Sequence, residues 1–377
     1  MKIRLLFVAW FIFIMGLIPQ SSQSCTTFCL DKGDQLLCGR NYDWMVDDCL
    51  VIVNKRGVKK TALTDHTKTF GQPASWTSKY GSITFNQHGR EFPTGGMNEA
   101  GLVVESTLVE APGCPEPDSR PYINFPQWKQ YQLDNYSSVE EVIASNAQIR
   151  IENSLLKSAR VHFLVCDRKG NCAIIEFLDG KMVCYTKETM PVKALTNITY
   201  KELIEFRQKG NLPINNLGHS VERFATVADM VERYDVKTTK SAVDYAFDIL
   251  KNVEGVGAMA TEWSVVCDIK NLRIYFRTLE NQNIRHINLK SFDFSCKTPV
   301  KVFDIQADQS GDVTKKFIDY TQEINQKLVR NASEKTDWSW LMRANDDRTN
   351  NPYDKNTPEN LVNIISQYPE TTTCTNK

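Results

Sequence analysis

Histidine is scarce in this chain: His66, His88, His162, His219 and His286 are scattered over 377 positions. They do not cluster, and no CxxC pair occurs, so a zinc site is not expected. Charge of one sign is lacking too. Forty-five basic residues balance forty-five acidic ones, which removes the electrostatic case for nucleic acid or an anionic membrane as partner. There is no P-loop, no internal repeat and no low-complexity block, and no cofactor is implied. After the first eighteen residues, no apolar run approaches membrane-spanning length.

Those first residues are of another kind. Lys2 and Arg4 precede the apolar run LLFVAWFIFIMGLI, residues 5–18, and polar PQSSQS follows. The run has the length of a signal peptide, and Ser22 and Ser24 supply small residues three and one before Cys25. An uncleaved anchor is the weaker alternative. A lipoprotein would also put Cys25 first, but Ser22 is not the aliphatic residue that reading wants. The expectation is a leader over 1–24, export to the periplasm or outside the cell, and no membrane attachment after cleavage. Residues 25–330 then form one large domain, and the polar, proline-bearing segment 331–377 a surface extension.

Eleven cysteines are present. Export permits disulfides, and an odd count leaves at least one thiol unpaired within the chain. Cys166, Cys172, Cys184 and Cys267 lie in apolar, strand-like runs, where buried reduced cysteine is the plain expectation. CTTFCLDKGDQLLCGRNYDW, residues 25–44, reads as a hairpin with Gly33 at the first central position of a two-residue turn. That register pairs residues whose numbers sum to 67. Cys29 faces Cys38, either as a cross-strand disulfide or as two packed thiols. Cys25 faces Tyr42, with Arg40 diagonal on the same face, while Asp43 points away unless a strand bulges.

Further strands are expected at 80–85, 101–110 and 192–197, with a three-strand meander over 161–186 and a hairpin over 262–279. Helical patterns cover 137–147, with a capping box from Ser138 to Glu141, and 220–234, 241–253 and 312–329. Antiparallel meanders with helices between them predict an α+β fold, helices packed on two facing sheets.

If the leader is cut before Cys25, thiol and α-amine sit on one residue. A free cysteine titrates near 8.5 and needs a base; an α-amine titrates at about 7.7–8.0 and can serve as one. A carboxylate such as Asp43 can orient the amine, and a guanidinium such as Arg40 can favour the thiolate. Trp44 and Tyr42 suggest an apolar acyl pocket nearby. Such a nucleophile suits acyl transfer from amides. A secreted, cysteine-rich binding domain without catalysis is the competing class. A papain-like protease is disfavoured, because no histidine stands in a partner motif.

Taken together, CTTF at the new terminus, GRNYDW (39–44), GMNEAGL (96–102), ALTN (194–197), SVERF (220–224) and TEWSVVCDIKNLRIYFRT (261–278) resemble the N-terminal-nucleophile hydrolases of the choloylglycine hydrolase and penicillin V acylase family. The resemblance covers most of 25 to about 330. It implies an αββα sandwich and hydrolysis of linear amides in small N-acyl compounds. It implies Cys25 as nucleophile and base, and Arg40 and Asp43 as the residues holding thiol and amine. Asn98 and Asn197 would contact the oxyanion, and Arg223 would support the nucleophile. Asn98 alternatively shapes a turn, Asn197 alternatively carries a glycan in the sequon NIT, and Arg223 alternatively is a solvated helix residue. The Asn197–Arg223 connection is short, whereas bile-salt hydrolases use a long one to assemble tetramers, so bile-salt specificity and a tetramer are in doubt and a homo-oligomer is left open. Trp44 after Asp43 is more similar to exported acylases of Gram-negative bacteria, some of which act on penicillin V or acyl-homoserine lactones.

Overall fold

A computed structural model describes residues 25–63, 71–109, 113–152, 161–209, 218–237, 241–336 and 358–375. The leader lies outside them. Two sheets carry the fold. The first runs in the order Ala194–Leu195, Thr26–Lys32 (β1), Gln35–Asp43 (β2), Thr261–Asp268, Arg273–Thr278, Arg285–Asn288 and Gly311–Asp312. The second has nine strands, its centre formed by Cys172–Leu178, Val161–Cys166, Val103–Leu108, Gly95–Asn98, Ser82–Asn86 and Leu50–Asn54.

Strand burial explains the layering. β1, β2 and Thr261–Asp268 are buried on both faces, as expected of strands covered on two sides. One face meets the second sheet in a core that includes Cys29, Cys38, Phe85, Met97, Val265 and Phe276. The other lies under the helices Gly218–Arg233 and Ala242–Lys251. The second sheet packs its outer face on the helix Phe125–Asn135, through Val104, Trp128, Phe163 and Phe177. Helix, sheet, sheet, helix is the expected α+β sandwich.

The predicted hairpin register holds: Thr26 faces Asn41 and Cys29 faces Cys38. Gly33 has φ +60°, the left-handed region such a turn requires. Cys29 and Cys38 are two packed thiols. The meander turns and the Ser138–Glu141 capping box also form as read.

Four expectations are corrected. Cys166 and Cys172 face each other at the end of their hairpin and form a disulfide, rather than staying reduced. No helix runs over 312–329. Residues 311–319 form two short strand pieces and a turn, and the helix starts only after Thr321, whose hydroxyl accepts from the Ile324 amide, and runs Gln322–Lys335. That helix crosses the expected boundary at 330. The described part of the tail, where a surface extension was expected, is tied to the rest of the protein. The helix Pro358–Gln367 packs on Gln322–Lys335, Thr373–Cys374 adds a strand to Val58–Thr61, and Cys374 is bonded to Cys296. Tyr368 is buried and donates to the Thr61 carbonyl. The fourth correction concerns the site itself.

Candidate active site

Cys25 stands at the open end of β1, and the sheet decides its neighbours. Thr27 faces Leu195 on one side and Arg40 on the other. Continuing both registers brings Asn197 and Tyr42 level with Cys25. Asp43 follows at the end of β2, and its partner strand bulges between Thr261 and Trp263. That irregularity lets Thr261 Oγ1 donate to Asp43 Oδ1 at 2.5 Å. Cys25 Sγ lies 3.6 Å from the Asp43 carbonyl. Asp43 Oδ2 is buried with no hydrogen-bond partner among the described residues.

Arg40 bridges the two sheets. Its Nη1 donates to the Thr94 carbonyl at 2.5 Å and to Glu105 Oε2 at 2.8 Å, and its guanidinium lies 5.0 Å from the Tyr42 ring centroid. Gly95 makes room for this pair, since a Cβ there would come within 1.9 Å of Glu105 Oε2. Both charges are buried, so removing one partner would leave the other stranded, at a cost of about 3–5 kcal/mol. Glu105 was not anticipated as a site residue. A lone acid inside the apolar strand run VVESTL was the available signal, because buried carboxylates are paired.

Arg223 reaches down from Gly218–Arg233. It donates to the Cys25 carbonyl at 2.9 Å, to Thr26 Oγ1 at 2.8 Å and to Asn197 Oδ1 at 3.0 Å. It is bonded to the end of β1 and to Asn197 rather than being a solvated helix residue. Asn197 receives a donor on its carbonyl oxygen, which fixes its amide group outward to the Leu108 carbonyl at 3.0 Å. Its backbone amide is held by Ser220 Oγ at 2.8 Å. A side chain so buried leaves no room for a glycan, which disposes of the sequon reading.

Asn98 is elsewhere. Its amide donates to the Leu133 and Tyr136 carbonyls, at 2.9 and 2.8 Å, and its oxygen accepts from the Ala100 and Leu102 amides. Both ends are spent on a turn and a helix terminus, and Asn98 does not line the cavity at Cys25. The turn alternative is therefore the right one. The group that faces Asn197 across the site is Leu108, ten residues later on the next strand.

Electrostatics set the resting state. Burial pushes the Cys25 thiol up, and Asp43 adds to this, while Arg40 and Arg223 pull it down. The thiol alone is a poor nucleophile. Burial also lifts Asp43 to about 6, against the pull of Arg223, the Thr261 hydroxyl and Arg40.

The cavity at Cys25 has a volume of about 140 Å³. Its walls are mostly apolar: Tyr42 and Trp44 from the hairpin and the residue after it, Phe92 from the loop before Gly95–Asn98, Phe125 and Val161 from the helix and second sheet, and Val329, Val362 and Ile365 from the helices Gln322–Lys335 and Pro358–Gln367. His88 also lines it, and burial holds this imidazole neutral, pushed down to about 4. His162 is committed elsewhere, to Glu176 and the Thr196 carbonyl. The Cys29, Cys38 and Cys166 sulfurs lie within 4.8 Å of one another. With Cys166 bonded to Cys172, only two thiols remain there, fewer than zinc requires.

Comparison with known proteins gives a consistent result. The family model described as linear amide C–N hydrolases, choloylglycine hydrolase family, matches residues 25–206 and 207–302. A penicillin V acylase of Pectobacterium atrosepticum is 25% identical over 263 residues, 58% of this chain and 69% of that protein. The solved penicillin V acylase of Agrobacterium tumefaciens is similar with a TM-score of 0.66 and 26% identity, covering 79% of this chain and 98% of the other. A variant of the conjugated bile acid hydrolase of Clostridium perfringens shares the fold at 20% identity and a TM-score of 0.61, over 74% of this chain and 97% of its own.

Proposed function

The chain belongs to the choloylglycine hydrolase family of linear amide C–N hydrolases, and we propose that it acts as an exported amidase whose mature form begins at Cys25. Freed of the leader, the α-amine of Cys25 takes the thiol proton. The sulfur attacks the amide carbon of an N-acyl substrate, and the negative oxygen that forms accepts a hydrogen bond from Asn197 Nδ2, displacing the Leu108 carbonyl. The C–N bond breaks as the ammonium group returns its proton to the leaving amine, and the acyl group stays on sulfur as a thioester. Water, deprotonated by the same amine, then attacks the thioester; acid leaves and the thiol is restored.

One observation carries this reading. Five groups named from the sequence, Cys25, Arg40, Asp43, Asn197 and Arg223, gather around Cys25, which with Arg40 lines an apolar cavity. Two others support it. The family match starts at Cys25, and the unpartnered Asp43 Oδ2 offers an acceptor to a terminal ammonium. Because the acyl group remains on sulfur while the amine leaves, the enclosed apolar space is the acyl site. It suits an aliphatic or aromatic acyl chain; penicillin V and acyl-homoserine lactones are compounds to include.

The test is direct. The secreted protein is sequenced from its terminus, then mixed with N-acyl amides and quenched. Expected are a first residue of Cys25 and an acyl adduct on it that is absent from Cys25→Ala. A processed chain starting elsewhere, or no adduct and no amine release with any substrate, would overturn the proposal and favour a binding domain. His88 gives the thiol-protease alternative its only foothold among cavity-lining residues. Loss of turnover in a folded His88→Ala variant would favour that alternative; retention within about tenfold is expected.

A further inference from the structure

The helix Phe125–Asn135 is buried along nearly its whole length although its sequence, FPQWKQYQLDN, is mostly polar. Most of its polar side chains have partners inside the protein. Gln127 accepts from the Leu63 amide, Gln130 donates to Asp134, Gln132 meets Ser145, and Asp134 takes both Trp76 and Lys60. Lys129 is the exception. It is 4% exposed, it lines the cavity that holds Cys25, and among the described residues no carboxylate, carbonyl or hydroxyl is bonded to it. Its Nζ lies near two aromatic faces, 5.7 Å from the Phe125 centroid and 6.0 Å from the Phe163 centroid.

The surrounding charges do not neutralise it. Glu105, the acid whose field reaches it, is bonded to Arg40. Two hydroxyls on the cavity wall are spent, Ser106 Oγ donating to the Thr94 carbonyl and Thr107 Oγ1 to the Thr196 carbonyl, and the His88 imidazole, which the charge of Lys129 reaches and helps to keep neutral, brings no negative charge. Burial and Arg40 together push Lys129 down to about 7, the response of a cation held without a counter-charge. A lysine amine that lines an apolar chamber and has no bonded partner among the described residues is suited to take its proton together with an anion.

We infer that Lys129 is the specificity determinant of the acyl site, binding a carboxylate at the far end of the acyl chain, so that the enzyme's substrates are monoamides of dicarboxylic acids. This rests on the reading of the enclosed cavity as the acyl side of an amidase. The hydrocarbon of the acyl chain would lie against Phe125, Val161, Val362 and Ile365, with the scissile carbonyl at Cys25 and the second carboxylate on Lys129.

The experiment compares p-nitroanilides of matched acyl length, ending in methyl or in carboxylate, scanned from butanoyl to decanoyl with the mature protein. At the best-fitting length the carboxylate-ended member is expected to have the higher kcat/KM by about tenfold or more, as one charge-assisted hydrogen bond allows. Lys129→Met should erase that preference and raise kcat/KM for the methyl-ended series; Lys129→Gln, which keeps a donor but no charge, should fall between. Calorimetry on Cys25→Ala, with suberate against octanoate, reads the same preference without turnover. Amides hydrolysed with methyl equal to or better than carboxylate, or a carboxylate preference that survives Lys129→Met, would overturn the inference and leave the amidase intact. A preference seen only for anionic leaving amines, such as N-octanoylglycine over octanoyl anilide, would also overturn it. Suberate binding that depends on Lys129, with no amide hydrolysed, would support the anion site and sink the amidase.

Discussion

The two ends of the cavity are built differently. At the Cys25 end, the side chains come from the first hairpin, the strands that flank it and the helix Gly218–Arg233, and they are tied to one another: Arg40 to Glu105 and Thr94, Asn197 to Arg223 and Leu108, Asp43 to Thr261. Away from Cys25, the wall comes largely from the helices Phe125–Asn135, Gln322–Lys335 and Pro358–Gln367, and it is mostly apolar, with Lys129, His88, Ser333 and Thr336 as its polar members. A hydrogen-bonded strand end fixes geometry to fractions of an ångström, which acyl transfer demands. A helix wall of Val and Ile fixes only volume. Chemistry and selectivity therefore respond to different substitutions.

That separation can be broken or sharpened in steps. The largest effect is expected from one alanine inserted before Cys25. It turns the basic amine into an amide nitrogen while the thiol stays, and turnover should fall on the order of 10⁴-fold or more; an extended enzyme that still hydrolyses amides would show that the base lies elsewhere. Next, Asn197→Ala should lower kcat by about 10²- to 10³-fold with little change in KM. A rise in KM alone would make it a ground-state contact. On the far wall, Ile365→Trp should cut kcat/KM for long acyl chains by about tenfold or more and spare short ones. An equal loss across all lengths would mean that the wall and the strand end are coupled after all.

The smallest expected effect is on stability. The folded Lys129 titrates near 7 and the unfolded one near 10.5, so the unfolded chain binds more protons between these values, and stability rises with pH there. Lys129→Met removes that penalty. It should raise Tm at pH 7, by a stabilisation on the order of 1 kcal/mol, with the gain shrinking toward pH 10. A variant less stable than the parent at pH 7 would place an unseen counter-charge beside the lysine.

Legibility from sequence followed the same division. β-register is arithmetic: one glycine turn at Gly33 sets the sum of 67, and with it the neighbours of Cys25. Patterned helices such as Ala242–Lys251, capped by Ser241, announce themselves. Phe125–Asn135 did not, because its buried face is glutamine and aspartate rather than leucine, and hydrophobic periodicity is blind to polar burial. Asn124 as cap and Pro126 in the first turn were its only signals. Asn98 was misplaced because a motif fixes order along the chain, and only the strand pairing tells which end of a strand faces the nucleophile. The tail looked solvent-facing for want of a long apolar run, yet Tyr368 and the Cys296–Cys374 bond hold it in place.

The position of that tail in the chain has a consequence for how such a protein can change over generations. Val362 and Ile365 belong to the last described helix, past every strand that positions Cys25. Insertions, deletions or replacements there leave the hairpin register and the Arg40–Glu105 pair untouched. Changes to this segment can thus alter which acyl chains fit while the strands around Cys25 stay as they are. The same alteration in the first forty residues would erase the enzyme.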